Sequence, residues 1–179
     1  MGVKINLDLP VSVWEVQDTK RIALNTVATV KRRTASGISS EGKPFKKYSK
    51  TPLYVAYKGA RLKPKGGRVS RTGKSVYYAG GYQQYKHDSR KRSNTNQNVG
   101  GRKQSAEVDL VLSGQLMNNL VVLEASLTRF RIGLTKHVRH YGYHVHQERP
   151  YIGLTDDEIN ILVDAVAYDI SQKLRGRKI

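Results

Sequence analysis

The chain has 179 residues, 38% of them apolar, no cysteine and a formal net charge of +18. That length suits one domain, or one domain with a long insertion. The missing cysteine excludes disulfides and thiolate metal sites, and no run approaches the ~18 consecutive apolar residues of a membrane span. Residues 1–10 have no apolar run behind a basic stretch, so they do not read as a secretory signal, and synthesis in the cytoplasm is expected.

The position of the charge matters more than its size. Residues 31–103 hold 20 Lys and Arg against two acids, Glu41 and Asp88, a net of +18; the rest holds 12 basic and 12 acidic residues. A neutral body with one strongly cationic stretch points to a polyanionic partner.

In chain order, residues 3–8 alternate apolar and polar and predict a short strand ended by Pro10. Ser12 and Glu15 have capping-box spacing, and Val13, Val16, Ala23, Leu24, Val27 and Val30 follow at helical spacing, predicting a helix over 13–32. Residues 34–106 show no sustained period and many glycines. The run 93–101 is nearly all Asn, Ser, Thr, Gln and Gly. Only residues 51–57 have the makings of a short helix or strand. So few aliphatics should not offset chain entropy, so an extended arm is expected, with no core of its own.

Order returns at Glu107. A Leu-Ser-Gly-Gln-Leu turn precedes two strands over 120–127 and 128–134, where Phe130, Ile132 and Leu134 alternate with Arg129, Arg131 and Gly133. A short helix follows over 135–147. Thr155 and Glu158 form a second capping box, Asp156 and Asp157 complement the helix dipole, and Ile159, Leu162, Val163, Val166, Ile170 and Leu174 form one apolar stripe, expected to be buried. Gly176 closes this last helix. The fold class is α+β: an N-terminal helix, a small antiparallel sheet and a C-terminal amphipathic helix, in one domain over 1–179 with 58–106 as a long basic, Gly-rich arm or insertion.

Among candidate chemistries the basic, Tyr-rich middle is the strongest signal. Tyr48, Tyr54, Tyr57, Tyr77, Tyr78, Tyr82 and Tyr85 lie there, with Phe45 nearby. Lys and Arg neutralise phosphates, and Tyr stacks on bases or packs against a partner. A solvated linker, or an arm assembling with an acidic neighbour, is the plainer reading. No helix-turn-helix, RNA-recognition or zinc-finger pattern is present, so sequence-specific readout is not expected. His140 and His144 would share a helix face, beside His137 and His146, but no Glu lies between them as a His-Glu-x-x-His site requires, and no metal is expected. Gly73-Lys74-Ser75 matches the end of a phosphate loop whose first glycine is replaced by Arg68. There is no Gly-x-Ser-x-Gly elbow and no cysteine nucleophile, so no enzyme, catalytic residue or cofactor is expected.

The order of segments adds a resemblance. A helix ending in basic residues leads to Gly42-Lys43-Pro44-Phe45-Lys46-Lys47-Tyr48-Ser49, then to Asp109-Leu110-Val111-Leu112-Ser113-Gly114-Gln115-Leu116. Two strands precede Tyr143-His144-Val145-His146-Gln147, and Arg149-Pro150-Tyr151-Ile152-Gly153-Leu154 introduces the last helix. This resembles the phage virion morphogenesis family, the Mu-like and P2-like tail-completion proteins, over about 100 of the 179 residues. The basic stretch from about 58 to 106 and the crowded histidines depart from the family pattern.

The resemblance implies a structural virion protein at the head–tail neck or the head-proximal end of the tail, made in the host cytoplasm and without a catalytic site. Its implied partners are further copies of itself in a ring, expected as a hexamer, other neck and tail proteins, and phage genomic DNA bound without sequence preference. Arg61, Lys63, Lys65, Arg68, Arg71 and Lys74 are the candidate DNA-proximal residues. Tyr77, Tyr78, Tyr82, Tyr85 and His146 are the candidate assembly contacts. The main alternative is a sequence-independent nucleic-acid-binding protein that acts as a free monomer; a zinc hydrolase is a third reading and needs stoichiometric metal.

Overall fold

The computed structural model describes residues 2–7, 13–60, 62–90, 108–110 and 114–176. Ser12, Arg61, Ser113 and residues 91–107, with the polar run 93–101, lie outside the described residues. The fold is α+β, and the chain divides into two compact units: a body of residues 1–45 and 116–179, and a lobe of residues 46–115.

In the body, Val3 and Ile5 alternate with Lys4 and Asn6 along β1 (Gly2–Asn6), an edge strand. It pairs antiparallel with β6 (Arg129–Leu134), which pairs in turn with β5 (Leu120–Ala125). The period of two in β6 sends Phe130, Ile132 and Leu134 to the buried face, all at 0% exposure, and Arg129 and Arg131 to the other. The register brings Val3 and Val122 to Ile132 and Ile5 to Phe130, so one apolar face runs across all three strands.

Helix α1 (Val16–Ala35) covers that face with Ile22, Ala23, Val27 and Val30. Ile22, Val27 and Val30 each contribute about 1.5–3 kcal/mol by that burial. The helix starts later than its sequence pattern indicates. Its cap is Glu15, whose N–H donates to the Asp18 carboxylate at 2.9 Å, rather than a Ser12–Glu15 box. Thr19 then fixes the helix against the sheet: its hydroxyl donates to the Leu127 carbonyl at 2.7 Å and accepts the Trp14 indole N–H at 2.8 Å. A short helix, α3 (Gln115–Asn118), leads into β5. Helix α4 (Lys136–Glu148) follows β6, and its backbone comes so close at Gly142 that an added Cβ would collide with the Leu134 side chain.

Helix α5 (Asp156–Gly176) opens with the expected capping box, the Thr155 N–H donating to Glu158 at 2.9 Å and the Glu158 N–H to the Thr155 hydroxyl at 3.2 Å. Its apolar stripe differs from expectation. Only Val166 is buried; Leu162 and Ile170 are half-buried, while Ile159, Val163 and Leu174 are 43%, 58% and 56% exposed. Three ion pairs accompany this orientation. Arg33 pairs with Glu158, Arg21 with Asp169 at 2.8 Å, and Lys173 with Asp18. With these three pairs the Glu158–Asp169–Lys173 side of α5 faces α1 and much of the apolar stripe faces outward. The outward stripe borders an open groove of about 310 Å³ whose walls include Leu7, Val163, Ala167 and Ile170.

The lobe corrects the expectation of an extended arm. Strands β2 (Leu53–Ala56), β3 (Arg68–Val69) and β4 (Ser75–Tyr78) form an antiparallel sheet in the order β2-β4-β3, followed by α2 (Gly81–Arg90). Val76, Tyr78 and Tyr85 form a core, flanked by Leu53, Val55 and Tyr82. Tyrosine supplies the burial that aliphatics do not, since one ring removes ~150–250 Å² from water. The hydroxyls are satisfied locally, Tyr78 on the Lys65 carbonyl at 2.7 Å and Tyr85 on the Leu62 carbonyl at 2.8 Å. Lys86, 1% exposed, donates to Tyr48 at 2.9 Å and pairs with buried Asp109, linking α2 to the segment leading out of the lobe.

The rotation of α5 is testable. Val166→Asp buries a carboxylate without a partner and should cost about 3–5 kcal/mol. Val163→Asp, one turn away on the exposed side, should stay within ~0.5 kcal/mol of the parent. Urea unfolding of both variants distinguishes this arrangement from a fully buried stripe, in which both substitutions would be severe.

Candidate nucleic-acid interface

Three of the motifs singled out in the sequence come together in the body around the Arg149–Leu154 stretch, which one guanidinium anchors. Arg33, in the last turn of α1, pairs with Glu158 and donates to the carbonyls of Tyr151 at 2.8 Å and Gly153 at 3.0 Å. Burial alone lowers its pKa, and the Glu158 carboxylate opposes that shift. After α1, Gly37 takes a positive φ of 82° and reverses the chain into a tight loop closed by the Ile38–Pro44 bridge and the Phe45 N–H on the Gly37 carbonyl at 2.8 Å. The Ser40 N–H then donates to the Pro150 carbonyl at 2.9 Å. His146 Nδ1 accepts the N–H groups of Tyr151 at 3.2 Å and Ile152 at 3.3 Å, and the Tyr151 hydroxyl donates to the Gly142 carbonyl at 3.3 Å. The Gly-Lys-Pro-Phe, His-Gln and Arg-Pro-Tyr-Ile-Gly segments thus form one hydrogen-bonded knot. It fixes backbone, and it gives half-buried His146, expected as an assembly contact, an internal hydrogen-bonding role.

The lobe carries most of the charge. Residues 46–115 hold 16 Lys and Arg against three acids, a net of +13, leaving +5 on the body. Of the candidate DNA-proximal residues, Lys63, Arg68, Arg71 and Lys74 are exposed. Lys65 is half-buried where its carbonyl accepts from the Tyr78 hydroxyl and its N–H donates to the Ser89 hydroxyl, and Arg61 lies outside the described residues. Arg71, Gly73 and Lys74 occupy the tip of the β3–β4 hairpin, where Gly73 has a φ of 67° and donates to the Ser70 carbonyl at 2.9 Å. The Gly-Lys-Ser sequence is therefore a hairpin turn and not a phosphate loop.

The candidate tyrosines separate by strand parity. Tyr78 and Tyr85 are buried in the lobe core, so these two are internal rather than the assembly contacts expected of them, while Tyr82 is half-buried with its ring 5.1 Å from Tyr48. Tyr77 points the other way. Its register partners are Tyr54 on β2 and Arg68 on β3, so Tyr54, Tyr77 and Arg68 form one row across the outer face of the sheet. Tyr54 is 67% exposed, and its ring centroid lies 5.0 Å from that of Tyr77 at an interplanar angle of 45°. Sequence reasoning placed Tyr54 in the aromatic group but not in the site. The signal was present in the alternation Leu53-Tyr54-Val55-Ala56, which sends Tyr54 to the face opposite Leu53 and Val55.

On α4 the His140 and His144 rings meet edge-on at 4.7 Å on an exposed face. Among the described residues no group of three or more His, Asp or Glu is placed to hold a metal ion, and no helix is long and apolar enough to cross a membrane. Comparison with protein-family models, with curated proteins and with solved structures finds no match to this chain.

The knot has a pH signature. Burial lowers the pKa of His146 below its ordinary value. The neutral ring accepts two N–H groups at Nδ1, and protonation would turn that acceptor into a donor. A group with a depressed folded pKa contributes stability that is present above its unfolded value of about 6.5 and lost as pH falls through the folded value. Wild-type stability should therefore decline from about pH 8 to about pH 5, and decline less steeply in His146→Gln, whose amide oxygen accepts without titrating. Urea midpoints across that range test this; identical slopes for the two proteins would count against it.

Proposed function

We propose that this chain is a structural, non-enzymatic component of a tailed-phage particle, built into the head–tail neck or the head-proximal end of the tail, with its cationic lobe toward the DNA. The observation that carries the proposal is the convergence of three of the four resembling segments on the Arg149–Leu154 stretch. Arg33 locks that stretch and α5 to α1, the Ser40 N–H ties the loop carrying Gly-Lys-Pro-Phe to Pro150, and His146 holds the Tyr151–Ile152 backbone. A protein of this kind works by shape and contact, and the two exposed features supply the contacts. The outward stripe of Ile159, Val163 and Leu174 is an apolar strip for neighbouring copies in a ring, and the +13 lobe is a polyanion-facing surface.

A second reading, a free sequence-independent nucleic-acid-binding protein, is favoured by the outer row of Tyr54, Tyr77 and Arg68. The readings differ in what the lobe needs. A free binder holds naked DNA as a monomer with a steep salt dependence, whereas a neck protein gains its grip from many copies held together.

The test is Lys63→Gln, Arg68→Gln, Arg71→Gln and Lys74→Gln combined. All four side chains are exposed, so the lobe should fold normally. About four lost phosphate contacts change affinity by orders of magnitude across moderate salt. Particles assembled with the variant should contain it in normal amount but lose DNA or join heads to tails poorly. Particles with normal DNA retention and infectivity would rule out a DNA-facing lobe. A folded variant that fails to enter particles would show that these charges serve protein assembly instead.

A further inference from the structure

The outer face of the lobe sheet has more than charge. Phosphate neutralisation needs only Lys and Arg, and those suffice for a duplex whose bases are stacked inside. An exposed aromatic ring has no partner on such a duplex, but it has one on an unpaired base.

Three observations make Tyr54 a stacking surface instead of a stray aromatic. The ring is held, because half-buried Tyr77 braces it at 5.0 Å across the β2–β4 pair, so less motion is lost when a base settles on it. The sheet beside it is low: the adjacent row on the same face is Ala56, Ser75 and Ser70, so both rings stand above a floor of small side chains. A cation completes the row, since Arg68 pairs with Tyr77 in the register and is exposed, within a unit of net charge +13. An aromatic ring for the base, a guanidinium for the phosphate across the same row and a low floor beside them match a single strand laid across the sheet.

We propose that the Tyr54–Tyr77–Arg68 face of the lobe binds single-stranded nucleic acid, with a base stacked on Tyr54 and the adjoining phosphate on Arg68. The inference deepens the DNA-facing role of the lobe and rests on that role for the polyanion. It narrows the ligand to unpaired strands, such as a single-stranded terminus on a linear genome. It requires no particular sequence, because every base offers a face to stack.

The full-length chain is titrated at low salt with three probes of equal length: oligo-thymidylate, an abasic oligonucleotide with the same phosphates, and a blunt duplex. Oligo-thymidylate should bind at least about fivefold more tightly than the abasic strand, the lower end expected for one stacked base. Tyr54→Ala should weaken the oligo-thymidylate complex by about 5- to 100-fold and leave abasic binding unchanged, whereas Tyr54→Phe, which keeps the ring, should bind as the parent does. Equal affinity for the thymidylate and abasic strands, or a Tyr54→Ala variant that binds as the parent does, overturns the stacking inference while leaving a DNA-facing lobe intact. Failure of all three probes to bind even at low salt overturns both.

Discussion

The body of this protein depends on the buried guanidinium of Arg33. One side chain pairs with Glu158 and bonds the Tyr151 and Gly153 carbonyls, so the end of α1 is anchored to a stretch 118 to 125 residues away in sequence. Breaking a pair this buried costs about 3–5 kcal/mol, because the partner charge is left in a poorly solvated site. That is a large share of the ~5–15 kcal/mol by which a domain is stable. The anchor also explains the chemistry at each motif. Glu158 caps its own helix and answers Arg33, Gly142 admits the close approach of α4 to β6, and His146 organises the Tyr151–Ile152 backbone.

The same charges that fix α5 leave its apolar stripe outside. Arg21, Arg33 and Asp18 on α1 pair with the polar side of α5, and Ile159, Val163 and Leu174 stand exposed in that arrangement. Large apolar side chains facing water along one helix, Ile161 and Tyr168 among them, are costly for an isolated chain and useful for one that stacks against copies of itself. The lobe makes a parallel division by strand parity. One face of a three-stranded sheet hides Val76 and Tyr78, and the other displays Tyr54, Tyr77 and Arg68. In both units a single element does two jobs, closing a core with one side and offering a surface with the other.

Much of the body was legible from period alone. Phe130, Ile132 and Leu134 alternate with two arginines, and the Thr155–Glu158 spacing announces the start of α5, because both patterns arise from local geometry. What was not legible turns on long-range choices. The cap of α1 falls on Glu15 because Asp18 is positioned to answer its N–H, a choice between adjacent boxes that spacing does not decide. The stripe of α5 looks like core until Asp169 and Lys173 find partners on α1, 148 and 155 residues away in sequence. The lobe was missed because its core is built from tyrosines, whose polar hydroxyls find backbone carbonyls only after folding. For the same reason Tyr78 and Tyr85 resembled contact residues. The charge of the site was plain in the sequence, but its geometry needed the β2–β4 register to set Tyr54 beside Tyr77.

The central claim is a place in a particle, so the most direct measurement is of place. Cryo-electron microscopy of purified particles carrying an affinity-labelled copy of this chain would locate it. The account predicts label confined to the junction of head and tail, in a closed ring with the lobes turned toward the DNA path. Purified particles without label, from cells in which the labelled chain accumulates on nucleic acid, would contradict it.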